Sequence, residues 1–184
     1  MPAPSWSLPV IQPYRGISPR IHPSAFVAGG VLVVGDVEIG RESSVWFGSI
    51  VRGDVHFIRI GEGTNIQDGC ILHVTRGRWP LTLGDQITVG HRVTLHGCTV
   101  RSRCLIGMGA IVLDGSEIGE GAMVGAGSVV TEGTVIPPRT LALGVPARVK
   151  REITLEEWEA SVVRAARYVE YARQYARENR GEGE

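Results

Sequence analysis

Much of what would betray a function at first glance is missing from this sequence. Only three cysteines occur in 184 residues, which is too few for a disulfide framework. That predicts free thiols and a cytoplasmic setting, where they stay reduced. Neither sign of charge is in excess, with 19 Lys and Arg against 19 Asp and Glu, and no stretch gathers enough basic side chains for a nucleic-acid or membrane patch. Both partners are therefore excluded. No apolar run reaches the length of a membrane span. The segment Met1 to Val10, broken by Pro2, Pro4 and Pro9, lacks the basic start and apolar run of a signal peptide. The length suits one domain.

What the chain has is glycine, 25 residues of it, beside 3 Phe and 4 Tyr. It is used periodically. Aliphatic residues followed by glycine recur at Ile39-Gly40, Ile60-Gly61, Leu83-Gly84, Val89-Gly90, Ile106-Gly107, Ile118-Gly119 and Val124-Gly125. With the gaps filled, a ladder of apolar positions runs at steps of six from Ile21 to Ala142. Two residues before each rung stands a small or aliphatic one, such as Ser43, Cys70, Cys98, Cys104 or Ala122. Both positions point inward along short strands, and glycine just past the rung suits a tight corner. This pattern predicts a parallel β-helix of hexapeptide repeats, an all-β solenoid in which three hexads, about 18 residues, close one coil. The cysteines are compact core fillers on this reading.

Register breaks mark insertions. Leu72 to Leu83 spans eleven residues instead of six, expelling the excess as a loop near Thr75 to Trp79. After Gly144-Val145-Pro146-Ala147 the period changes. Thr154-Leu155-Glu156-Glu157 is a capping box, and Leu155, Trp158, Val162, Ala165, Val169, Ala172 and Ala176 form the apolar stripe of a closing helix. The expected divisions are an N-terminal extension over 1–20, the β-helix over 21–146, and a linker with a C-terminal helix over 147–184.

Arg52, His73 and His96 each follow the rung at the same corner of three successive coils. Their side chains leave that corner one above another at the ~4.8 Å strand spacing. Asp68 and His91 stack likewise, two residues past another corner, with Gln67 beside them. His91 precedes His96 by five residues, about 16 Å of extended strand at ~3.3 Å per residue, so one chain cannot gather all three histidines. Prisms packed about a three-fold axis can, and closed cyclic symmetry is common. The spacing therefore predicts a homotrimer with three zinc sites built from His73, His91 and His96, each with a fourth position open for water, as in catalytic zinc sites. His22 and His56 are read as ordinary hydrogen-bonded side chains.

The stretches Val51-Arg52-Gly53-Asp54, Asn65-Ile66-Gln67-Asp68-Gly69, Leu72-His73 and Gly90-His91-Arg92-Val93-Thr94-Leu95-His96-Gly97 resemble the γ-class carbonic anhydrase family, as does the closing helix. The resemblance implies a left-handed β-helix. It implies zinc, with iron or cobalt as alternatives, held by His73 and His96 of one subunit and His91 of its neighbour. It further implies that Arg52 pairs with Asp68 across the interface, with Asp54 as support. Gln67, with Asn65 beside it, would hydrogen-bond the metal's water, and Tyr168 on the helix would reach the site. The implied activity is that of a carbonate dehydratase, a lyase converting carbon dioxide and bicarbonate, because zinc lowers the pKa of its water toward ~7. Val55 follows Asp54 where the best-studied branch of the family has a proton-carrying glutamate, and the loop Arg76-Gly77-Arg78-Trp79 is short and basic where that branch is long and acidic. Slow turnover is expected. Three other functions fit parts of the sequence: a hexapeptide acyltransferase with one histidine as general base, a metal-dependent thioester hydrolase, and a non-catalytic trimeric assembly subunit.

Overall fold

The computed structural model describes residues 8–179. Residues 1–7 of the expected N-terminal extension, and with them most of the segment judged for a signal peptide, lie outside the described residues, as do 180–184. The chain is a parallel β-solenoid of about seven turns followed by a single C-terminal helix.

The rungs stack as the six-residue period predicts. Val33, Val51, Leu72, Leu95, Val112 and Val130 are successive register partners at one corner. Ile21, Ile39, Ile60, Leu83, Val100, Ile118 and Ile136 form the second column. Val27, Val45, Ile66, Val89, Ile106, Val124 and Ala142 form the third. Apart from the half-buried Ile21 and Val27 of the first coil, every one is buried. The three cysteines are buried among them, and burial pushes each thiol up to about 12.

Glycine after a rung has a different reason from the one its position suggests. A Cβ on Gly107 would lie 2.4 Å from the Ala126 nitrogen of the next coil, and one on Gly40 would lie 2.5 Å from the Gly61 carbonyl oxygen. Close approach of coils excludes the side chain there. The left-handed conformation falls elsewhere in the repeat, and Gln86 (φ 56) and Arg92 (φ 59) adopt it as non-glycine residues.

Alternation puts the residue before each rung on the outside, and the three outer faces differ. One carries Arg20, Glu38, Arg59 and Glu117, laced by ion pairs such as Arg59 with Asp36 and Glu38. A second carries Phe26, Ser44, Asn65, Thr88 and Leu105, and helix α1 (Leu155–Asn179) lies along it. The third carries Leu32, Ile50, Ile71, Thr94, Ile111 and Val129, with no helix of the described residues laid over it, and Ile71 and Ile111 are 38% and 36% exposed.

The expected divisions at 20/21 and 146/147 are crossed by strand pairing. Val10–Gln12 pairs in parallel with the strand Leu32–Ile39, so the sheet begins within the segment read as an extension. Arg148–Glu152 turns back and pairs antiparallel with Thr140–Leu143, with a bulge at Leu141/Ala142. Two insertions fall where the register breaks. Three extra residues bulge between Gly53 and Ile58 opposite Gly35 to Val37, and Thr75 and Trp79 bridge to close the second loop.

The helix begins at the expected capping box. The Thr154 N–H donates to Glu157 at 2.8 Å, and the Glu157 N–H donates to the Thr154 hydroxyl at 3.2 Å. Its stripe docks through Ala165 and Ala172 and an aromatic cluster of Phe26, Trp46, Phe47, Tyr168 and Tyr175, with ring centroids 5.2 to 6.2 Å apart. Leu155, expected in that stripe, is 61% exposed, because it opens the helix before the first docked residue, Trp158.

Candidate metal centre

His73 and His96 are direct register partners on adjacent coils. Both project outward on the uncovered apolar face, with ring centroids 5.1 Å apart. His73 Nδ1 lies 3.0 Å from His96 Nε2. The outer nitrogen of each ring is held by a carboxylate. His73 Nε2 is 3.0 Å from Asp54 Oδ1, and Arg52 Nη1 donates to Asp54 Oδ2 at 2.5 Å. His96 Nδ1 is 2.6 Å from Asp114 Oδ1, and the Thr75 hydroxyl donates to Asp114 Oδ2 at 2.6 Å. Burial holds His73 below its ordinary pKa, and the Arg52 charge adds to this against the opposing hydrogen bond from Asp54. For Asp54, burial pushes upward, but hydrogen bonds and charge from Arg52 and His73 outweigh it and lower its pKa.

The donor set fits a cation. With each outer N–H donated to a carboxylate, the two inner nitrogens face each other as lone pairs, an arrangement that needs a proton or a metal ion beside it. Burial of His73 disfavours the proton. The 3.0 Å separation is also near the ~3.3 Å edge of a tetrahedron of zinc–nitrogen bonds of about 2.05 Å. Carboxylates on the far side of ligating imidazoles are the usual means of fixing their tautomers.

His91 stands apart from this pair, around the prism on the turn beside the helix-covered face. Its Nδ1 is 2.7 Å from Asp68 Oδ2, and both side chains are a little over two-fifths exposed. The expected Arg52–Asp68 pairing is not made within one chain, where Arg52 meets Asp54 and Asp68 meets His91. Gln67 is buried, and its amide donates to Asn65 at 3.2 Å. Asn65 in turn donates to the Thr88 hydroxyl and the Ile87 carbonyl. A cavity of about 470 Å³ between helix and sheet is lined by Gln67, Thr88, His91, Arg164 and Tyr168. The Tyr168 ring packs edge-on to Trp46 at 5.6 Å, and its hydroxyl is pushed above 10, first by burial and then by the Asp68 charge.

So the structure gathers these side chains into two separate clusters. His73 and His96 share one, with Arg52 and Asp54. His91, Gln67, Asn65, Asp68 and Tyr168 share the other. Among the described residues no three His, Cys, Asp or Glu side chains converge as a metal-ligand group. His22 and His56 take part in neither, each hydrogen-bonded locally, to Ser24 and to the Phe57 N–H. Sequence reasoning missed Asp114 and Thr75. The signal for Asp114 was its separation from His96, 18 residues or one full coil. Thr75 carried none, since its contact depends on how the inserted loop folds back.

The sequence matches the family described as "Bacterial transferase hexapeptide (six repeats)" over residues 97–132. A carbonic anhydrase of Geobacillus kaustophilus is 50% identical over 166 residues, covering 90% of this chain and 91% of the relative. The mitochondrial gamma carbonic anhydrase 1 of Arabidopsis thaliana is 42% identical over 167 residues, covering 88% of this chain and 61% of that one. A solved Bacillus cereus structure, described as an acetyltransferase, superposes with a TM-score of 0.89 at 49% identity, covering 91% of this chain and 96% of that one.

Proposed function

This chain belongs to the γ-class carbonic anhydrase family of hexapeptide-repeat proteins, and from that premise we propose that it catalyses the reversible hydration of carbon dioxide to bicarbonate at metal sites shared between three copies. The observation that carries the reading is the His73–His96 pair, inner nitrogens together and outer nitrogens on Asp54 and Asp114. His91 of the neighbouring copy completes the ligand set. The column Leu32, Ile50, Ile71, Thr94, Ile111 and Val129 beside the pair supports this, since it is mostly aliphatic, whereas four of the seven equivalent positions on the ion-paired face are the charged Arg20, Glu38, Arg59 and Glu117. The half-exposed Arg52 and Asp68 are the edges that pair across the seam.

Zinc, or iron or cobalt in its place, supplies the Lewis acidity that lets water ionise near pH 7. The chain's own residues do the rest. Gln67, fixed by Asn65, presents an amide where the nucleophilic water must be oriented toward carbon dioxide. Tyr168 lines the cavity from the helix side, beside Arg164. Neither Val55, which packs on the core where a glutamate could serve, nor Tyr168, pushed above 10, is suited to export the proton. External base takes that part, so turnover should be slow in dilute buffer and rise on adding an imidazole-type buffer of pKa about 7.

The test is metal content with carbon dioxide hydration on protein purified without oxygen, beside a His96→Ala variant. Wild type should carry about one metal per chain and hydrate carbon dioxide in proportion to buffer, and the variant should lose both. Metal-loaded protein without hydratase activity in any buffer would sink the proposal. The acetyltransferase description of the Bacillus cereus relative motivates a second arm with acetyl-coenzyme A and an amine acceptor, where no transfer is expected. The working compartment is the cytoplasm on this reading; no helix among the described residues is long and apolar enough to cross a membrane.

A further inference from the structure

We propose that the inserted loop Thr75–Trp79 is a clamp for the metal centre, in which the Thr75 hydroxyl locks Asp114 and Asp114 holds His96 in the one orientation that can ligate. Thr75 and Asp114 are positioning residues on this view, and the inference rests on the metal-site reading above.

The loop is a closed unit. The Thr75 N–H donates to the Trp79 carbonyl at 3.0 Å, and the Trp79 N–H returns to the Thr75 carbonyl at 3.2 Å. It is also anchored to the coils beneath. The Trp79 indole lies 3.0 Å from where a Cβ on Gly115 would stand, one residue past Asp114. Gly97, one residue past His96, is equally hemmed in, since a Cβ there would fall 2.2 Å from Asp114 Oδ1 and 2.7 Å from Trp79 Cβ. The ligand, the carboxylate and the loop are thus packed into one block with no room for a side chain at 97.

Within that block both Asp114 oxygens are committed, one to His96 Nδ1 and the other to Thr75 Oγ1, each at 2.6 Å. A carboxylate tied at both oxygens cannot rotate about its last bond. It accepts the Nδ1–H of His96 and so leaves Nε2 unprotonated, facing His73 Nδ1 3.0 Å away. Without the threonine hydroxyl one oxygen is released, the carboxylate turns, and both the tautomer and the ring angle lose their constraint. This gives the eleven-residue step in the repeat a purpose, because an uninterrupted hexad could not bring a hydroxyl back over the coil to reach Asp114.

The experiment uses the whole 184-residue chain, in its native assembly, with Thr75→Val, Thr75→Ser and Asp114→Asn. Cobalt and zinc affinities are measured by chelator competition, with the cobalt d–d spectrum recorded, and ring ¹⁵N shifts of His96 are measured on metal-free protein. Thr75→Val should weaken metal binding by up to about 10-fold, less than the ~10- to 100-fold usual for losing the outer partner of a ligating histidine, because Thr75 acts through Asp114. Thr75→Ser should restore it, and Asp114→Asn should weaken it and perturb the d–d bands. Wild-type affinity in Thr75→Val would overturn the clamp. Absence of metal binding by wild type would instead overturn the metal-site reading, and the ¹⁵N shifts would then decide the clamp alone. A His96 Nδ1–H tautomer as dominant in Thr75→Val as in wild type would refute it, and a tautomer mixture in Thr75→Val restored to one form in Thr75→Ser would uphold it. Should the valine variant fail to fold, the same shifts in Thr75→Ala, which removes the hydroxyl without adding bulk, make the same decision.

Discussion

His73 makes the metal-free protein sensitive to acid. Its folded pKa lies below the ordinary 6.5, chiefly through burial, so the fold favours the neutral ring. A group depressed in this way gives its full stability above the unfolded pKa and loses it as pH falls through 6.5 toward the folded value. Asp54, lowered from 3.8, acts in the same direction in a more acidic window. The urea midpoint of metal-free protein should therefore drop between pH 7.5 and 5.5, and a His73→Asn variant should lose most of that dependence. A flat midpoint in wild type would mean that the ring is not buried against Asp54 as described. Gly107 gives a second prediction at this scale. Gly107→Ala places a methyl 2.4 Å from the Ala126 nitrogen, and prising the coils apart should cost ~1–3 kcal/mol, read as a lower melting temperature. The rung residues were legible because each inward position repeats with the same chemistry. The reason for the glycines was not, since closeness to the next coil is a property of two repeats, not of one. Asp114 was hidden for the same cause: beside Gly115 it reads as an ordinary turn residue, and only the coil above reveals that it faces His96.

Helix α1 shows how an element's start can be plain while its docking is not. Its capping box and three- and four-residue spacing marked it, and both are present. The anchor, however, lies in the solenoid. Trp46 is 5% exposed, meets Phe26, Phe47, Tyr168 and Tyr175, and donates from its indole N–H to the Ser44 hydroxyl at 3.0 Å. In the sequence it follows the rung Val45 where glycine is usual, a break in the pattern that has meaning only once the helix is laid over it. Trp46→Ala should cost about 3–5 kcal/mol by cavity formation and weaken near-ultraviolet circular dichroism as the aromatic cluster loosens. A loss under ~1 kcal/mol would show that Ala165 and Ala172 suffice to hold the helix.

At the level of the molecule, three faces meet three fates among the described residues: ion pairs on one, the helix on another, and a mostly aliphatic column left uncovered on the third. Ile111→Glu puts a charge in that column one coil away from the histidines. Light scattering should give three times 19.8 kDa for wild type and a smaller species for the variant, with circular dichroism unchanged and metal lost. A variant that stays trimeric would mean the seam lies on another face. The strand Arg148–Glu152 bears on a different problem. A stack of parallel rungs has no intrinsic length, and a bare terminal coil would template the first coil of another molecule, as the growing end of a fibre does. Here the chain doubles back antiparallel along Thr140–Leu143, off register at the bulge, and its five residues are exposed and mostly charged. Polymerisation end to end is blocked on that face by a strand of the wrong direction.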